Sequence, residues 1–165
     1  MIAAASPRWK LVDQRESVHA ARTAVTAVAS LLIARLVRLP EAYWAALTSI
    51  IVMQSTLGAA WTISKQRLAG TAVGAALGAL FVMYAGANWV AFGISVFVAG
   101  LICTALHMER NAFRYSGVTL VVIMLIPRNL PVWDVAAHRF AEISLGIAVG
   151  LATTAIWPQP GLIEG

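Results

Sequence analysis

The sequence predicts an all-α integral membrane protein with six transmembrane helices, and three observations lead there. The first is composition: 60% of the 165 residues are hydrophobic and 12% charged, with a mean hydropathy of +0.79, whereas a soluble domain carries roughly 45–50% apolar and about 25% charged residues. A soluble core of this length could not hide so much apolar surface, and a bilayer removes the need to. The second is punctuation, since Pro40, Gly86, the basic stretch 107–114 and Pro127 divide the apolar runs. The third is the stretch 65–81, where Lys65 and Arg67 lie just outside an apolar run. Gly70, Gly74 and Gly78 follow four apart, so on a helix they form one smooth stripe where another backbone can approach closely.

In chain order, residues 1–18 are polar and mixed in charge. They lack an apolar run followed by a small-residue cleavage site and read as a cytoplasmic N-terminal segment, with Trp9 at the headgroups. The first span is expected over 19–36, its Arg22 and Arg35 snorkelling to the two interfaces. After Pro40 a second, short span runs over 43–57, opened by the interfacial anchors Tyr43 and Trp44. Thr48, Ser49, Gln54, Ser55 and Thr56 give it a polar load that must face protein or water. Helix-to-helix hydrogen bonding and the lining of a pathway both account for that load.

The third span is expected over 65–84, a tight turn follows at 86–88, and Trp89 anchors a fourth span over 89–106. A fifth covers 115–126 and an irregular connection through Arg128, Pro131, Trp133 and Asp134 leads to a sixth over 139–157. Pro158 and Pro160 close that helix. The expected organisation is therefore a six-helix module over 19–158 with a short tail at 159–165.

The formal charge of +5 and a pI near 10.2 do not point to nucleic acid, because the basic residues sit singly at the ends of apolar runs. Cys103 is the only cysteine and lies in an apolar run, so there is no intramolecular disulfide and no cysteine metal cluster. His19, His107 and His138 are isolated near segment ends, and no metal site, phosphate loop or nucleophile–base pair is readable. An enzyme is not expected, nor a cofactor. With the N-terminus inside, one side of the membrane collects Arg8, Lys10, Arg15, Arg22, Lys65, Arg67, Arg110 and Arg114, and the other only Arg35, Arg38, Arg128 and Arg139. That asymmetry places both termini in the cytoplasm.

Tyr43-Trp44-Ala45 opening a short span, Gln54 within it, and Gln66-Arg67-Leu68-Ala69-Gly70-Thr71-Ala72-Val73-Gly74 opening the next form a pattern. It resembles the fusaric acid resistance and aromatic acid exporter superfamily, whose relatives include the plant aluminium-activated malate channels. The end of the chain, from Arg139 through Gly146 to Trp157-Pro158, is similar to the last helix of that membrane module. The resemblance implies a six-helix module in the bacterial inner membrane, export or passive conduction of organic or aromatic carboxylate anions, and no cofactor. It also makes Gln54 and Thr71 candidate substrate contacts. Larger exporters of this kind look like two such modules plus soluble regions, which implies that a single module works as a homo-oligomer or with a partner.

The residues also hold a candidate 3+3 inverted repeat. Sliding the chain by 72 positions lays Tyr43 on Tyr115, Arg67 on Arg139, Gly74 on Gly146 and Gly78 on Gly150. Against it, Gly70 falls on Glu142 and Gln54 on Ile126. Three spans is an odd number, so the second half would cross the membrane inverted, as in many transporters.

Under that repeat Arg67 and Arg139 are expected at helix N-termini approached from opposite sides. There the free N–H groups and the helix dipole add to the guanidinium, and an anion offsets both. Arg67 and Arg139 are accordingly the candidate anion site, and the glycine stripes are expected to bring their two helices together. Glu142 is the acidic residue inside a span and the candidate for proton coupling, or a plain partner for Arg139 one turn away. Two function classes follow: a transporter or channel for organic carboxylates, and a non-conducting membrane scaffold for which glycine-mediated packing is the whole story.

Overall fold

The computed structural model describes residues 14–53, 56–127 and 130–157, with side chains from residue 17 onward. Among the described residues the secondary structure is entirely helical: α1 (Gln14–Leu36), α2 (Tyr43–Val52), α3 (Leu57–Ala85), α4 (Trp89–Ala105), α5 (Arg110–Leu125) and α6 (Val132–Ile156). Ser17–Leu36 of α1, together with α3 and α6, are long and apolar enough to cross a membrane, while α2 and α4 are shorter apolar helices. The 10 residues of α2 extend only about 15 Å at 1.5 Å per residue. That is half of a hydrocarbon core.

The bundle buries a seam of polar residues among small and apolar ones, and much of its exterior is apolar. Along α1, Arg22, Thr26, Ser30 and Ala34, four apart and on one face, are buried, while Val25, Val28, Leu32 and Leu36 on the other faces are exposed. Inside, Thr48, Ser49, Ser95, Ser116 and Thr119 join them; outside, Phe97, Leu101, Trp89 and Ile156 are open. Water would penalise such a surface, whereas lipid tails are as apolar as leucine, and small or hydroxyl residues let helix backbones approach inside. The protein is therefore a membrane protein by its packing as well as by its composition.

Several boundaries differ from the sequence expectation, each for a local reason. Thr56 does not belong to the second span: its hydroxyl caps α3 by accepting from the Ala59 N–H at 3.2 Å, the usual work of a threonine before a helix. With that cap α3 begins eight residues earlier than expected. Likewise α6 begins at Val132, following Pro131 and with Asp134 in its first turn, where proline lacks no needed N–H and a carboxylate suits the dipole. The connection read as irregular at Trp133 and Asp134 is thus helical. Arg22 does not snorkel either, because it is fully buried and its guanidinium donates to the Trp157 carbonyl. Gln54, Arg128, Pro158, Pro160 and most of the N-terminal segment lie outside the described residues.

The glycine stripes do not meet each other; each takes a different helix. A Cβ on Gly74 would stand 2.5 Å from the Ser116 carbonyl oxygen, and one on Gly146 would stand 2.4 Å from that of Ala45. Gly70 faces Ala112, Gly78 faces Ile123 and Gly150 faces Val52, so α3 packs on α5 while α6 packs on α2. These contacts correspond between the two halves: Gly74 touches Ser116 and Thr119 as Gly146 touches Ala45 and Thr48, with glycines 72 positions apart and partners 71 apart.

Helix neighbours correspond in the same way. Exchanging α1–α3 with α4–α6 carries α2 on α6 into α5 on α3, α1 on α2 into α4 on α5, and α1 on α6 into α4 on α3, while α3 on α6 maps onto itself. Even the ends of α1 and α4 match. Leu39 N–H donates to the Ala34 carbonyl and Met108 N–H to that of Cys103. Arg38 and His107 take the left-handed conformation at φ 59° and 51°, which closes each helix in a Schellman motif.

Gly146→Ala is expected to destabilise the folded protein by about 1–3 kcal/mol, the usual cost of overpacking, because the obstacle is the Ala45 backbone. Gly93→Ala, with nothing within 4 Å of the added Cβ, serves as the control and should stay within about 0.5 kcal/mol. Unfolding in detergent checks both; equal effects would contradict the close approach.

Candidate anion-binding site

Arg67 sits three turns inside α3 and Arg139 two turns inside α6, so neither occupies a helix N-terminus. The expected help from free N–H groups and from the dipole is therefore absent at both arginines, because capping at Thr56 and Pro131 starts the helices early. Both side chains instead turn into the bundle. Arg67 is 4% exposed and Arg139 2%, and the two guanidinium groups line one cleft with Trp44, Thr71, Tyr115 and Thr119. Its volume is about 10 Å³, close to the minimum that admits one water molecule.

Each guanidinium lies over an aromatic ring from the facing short helix. Arg67 Cζ is 4.9 Å from the centroid of Tyr115 on α5, and Arg139 Cζ is 4.1 Å from that of Trp44 on α2. Trp44, expected as an interfacial anchor, is thus half-buried against a charge, and it is Trp44 rather than Tyr43 that answers to Tyr115. Such stacking contributes about 0.5–2 kcal/mol, more as the pair loses water.

Beyond stacking the two arginines part company. Arg139 donates to Glu41 Oε2 at 2.6 Å and lies 3.4 Å from Glu142 Oε2. Glu142, 1% exposed, also accepts from the Glu41 backbone N–H at 2.8 Å. Arg67 donates from Nε and an NH2 group to the Thr48 hydroxyl at 3.2 and 3.0 Å. No carboxylate among the described residues lies within ion-pair distance of it. The nearby Glu109 accepts instead from the Gln66 amide, and Gln66 also accepts from Asn111. Beside Arg67, the Thr71 hydroxyl is 1% exposed and has no hydrogen-bond partner.

Two of the sequence-derived candidates, Arg67 and Arg139, are thus brought together with Thr71, and Glu142 stands directly behind Arg139. Gln54 lies outside the described residues. Gly70, Gly74, Gly78, Gly146 and Gly150 serve helix packing and do not line the cleft. Glu41 was missed as a site residue, Thr48 was read only within the polar load of the second span, and Trp44 and Tyr115 were not assigned to the site. Glu41 carried a readable signal: it is an acid immediately after Pro40 in a chain with seven acids, and a buried arginine needs one nearby. Among the described residues no three His, Cys, Asp or Glu side chains gather as metal ligands.

Residues 27–153 match the family described as fusaric acid resistance protein-like. The chain belongs to this family. Among curated relatives of this fusaric acid resistance-like chain, it is 27% identical to the Inner membrane protein YeeA of Escherichia coli K12 over 151 residues, covering 89% of the chain and 42% of YeeA. It is 26% identical to the Uncharacterized transporter YdhK of Salmonella typhimurium, covering 92% of the chain and 24% of that protein. The YdhK of E. coli K12 is 29% identical over 86% of the chain and 22% of its own length. The chain thus spans less than half the length of each of these relatives. No solved structure matches it.

Arg139→Met is expected to destabilise the folded protein by about 3–5 kcal/mol, because it takes its cation away from a buried carboxylate. Adding Glu142→Gln to that variant should recover much of the loss. A double-mutant cycle on unfolding in detergent measures it, and strictly additive effects would mean that the pair is not coupled.

Proposed function

We propose that the protein moves organic carboxylate anions across the bacterial inner membrane, and that Arg67 is the residue that holds the anion in transit. The observation that carries this reading is the imbalance at Arg67. A buried guanidinium loses several kcal/mol of hydration, and the partners on hand, the ring and phenol of Tyr115 and the Thr48 hydroxyl, carry no full negative charge. A carboxylate entering beside Thr71 would supply the missing charge, give the Thr71 hydroxyl an acceptor, and take paired donors from the guanidinium. The ring of Tyr115 beside it suits an anion with an apolar or aromatic body. Membership of the fusaric acid resistance-like family is in keeping with an organic acid as substrate, and the likeness to YdhK, itself named an uncharacterized transporter, supports transport.

The reading takes all six helices as one membrane unit with both termini in the cytoplasm, built as an inverted repeat whose axis runs between α3 and α6. The corresponding contacts of the two halves support that, as do Arg67 over Tyr115 and Arg139 over Trp44, again 72 and 71 positions apart. The exposed apolar exterior leaves room for a second copy of the chain. Glu142, which touches Arg139 rather than solvent, is the group through which a proton gradient would act.

Efflux of radiolabelled benzoate and malate from vesicles reconstituted with the full chain tests the proposal. Arg67→Gln should lower flux by about ten- to a hundredfold, the loss of one charge-assisted hydrogen bond, with Arg67→Lys retaining a larger share. Unchanged flux in a folded Arg67→Gln protein would sink the idea.

A further inference from the structure

Arg139 carries what Arg67 lacks. Both guanidinium groups stack on a ring at corresponding places and line the same cleft, yet only Arg139 has carboxylates on its donors. The difference is built into the backbone of the other half. At the 72- and 71-residue spacings that relate the glycine contacts, Glu142 answers to Gly70 and Glu41 to Ala112. A Cβ on Gly70 would stand 2.1 Å from the Ala112 carbonyl oxygen, so no carboxylate can be mounted on that position beside Arg67. One arginine is supplied with acid by the chain, and the other is kept clear of it.

The two acids on Arg139 are not equivalent. Glu142 is 1% exposed, on a helix, and holds the Glu41 backbone N–H through its own Oε1. Glu41 lies in the connection between α1 and α2 with its side chain 21% exposed, and contributes the shorter contact, 2.6 Å. Glu142 latches the connection; the Glu41 side chain is mounted on that connection and not on a helix.

We propose that Arg139 is a second carboxylate subsite of the transport path, and that Glu41 is a tethered carboxylate that occupies it and competes with the transported anion. This rests on the reading of Arg67 as the anion-holding residue. A tethered ligand acts at high effective concentration, so an arriving carboxylate binds Arg139 only during the fraction of time Glu41 has left, and its apparent affinity falls by that fraction. An anion released from Arg67 then has a next guanidinium to move to across the same cleft. Glu41 returning to Arg139 drives it onward.

Two variants of the full chain test this. Glu41→Ala takes the 2.6 Å carboxylate contact away from Arg139 while Glu142 stays in place, and formate is the smallest carboxylate that can replace it. Formate should therefore raise the unfolding temperature of Glu41→Ala in detergent by more than it raises that of the wild type, in which Arg67 alone is open to it, and the excess should vanish in Glu41→Ala combined with Arg139→Met. In vesicles, Glu41→Gln, which keeps the shape and removes the charge, should lower the KM for benzoate by about three- to tenfold, the relief expected when a competitor occupied most of the time is removed. No formate rescue overturns the subsite. Rescue with an unchanged or raised KM overturns the competition. If Arg67→Gln leaves flux untouched while formate still rescues Glu41→Ala, the Arg139 subsite stands and the assignment of Arg67 fails, so the two proposals fail separately.

Discussion

A guanidinium charge taken out of water must be matched by something, and most of this structure follows from how that requirement is met at two arginines. Arg139 is matched by Glu41 and Glu142 within 3.4 Å. Arg67 is matched by the ring and phenol of Tyr115 and by the Thr48 hydroxyl, all neutral groups. Hydration lost on burial amounts to several kcal/mol per ion, while a cation–π contact returns about 0.5–2 kcal/mol. The residual at Arg67 is what an incoming carboxylate would remove, and on the proposal made above its binding would stabilise the protein where the fold alone does not.

Close helix packing is what holds the two arginines at one cleft. The stripes on α3 and α6 let α5 and α2 approach so closely that a Cβ on Gly70, Gly74 or Gly146 would collide with a carbonyl oxygen of the facing helix. Those approaches carry Tyr115 under Arg67 and Trp44 under Arg139. Gly70 has a second consequence, since the space that any carboxylate-bearing side chain would need there is filled by the Ala112 backbone. Packing and electrostatics thus act at the same residues, and what looks like a break in the correspondence of the halves, glycine in one place and glutamate in the other, is where the halves differ in charge.

Composition made the membrane class legible, and the Gly and Arg positions made the central helices legible, because both depend on residue type alone. Helix starts were less legible. The polar load of the short second span masked Thr56 as a cap, and Pro131 with Asp134 read as a loop although both favour a helix start, so two arginines were expected at helix ends that lie two and three turns inside. Arg22 illustrates the same difficulty: a charge near the end of an apolar run looks free to reach water, and only the fold shows it enclosed and bound to the Trp157 carbonyl. Glu41 and the stacked rings depend on contacts across about fifty to a hundred residues, which spacing within a helix does not reveal.

The most direct measurement is a through-space contact in lipid between a ligand and one arginine. Solid-state NMR of ¹⁵N-arginine-labelled protein with benzoate labelled at its carboxyl carbon would report it. Arg67 as the principal anion-holding residue predicts a carboxyl-to-guanidinium contact within about 4–6 Å, the range over which opposite charges act strongly, that is largely lost in Arg67→Gln and survives Arg139→Lys. A contact that survives Arg67→Gln undiminished, or none at saturating benzoate, would contradict it.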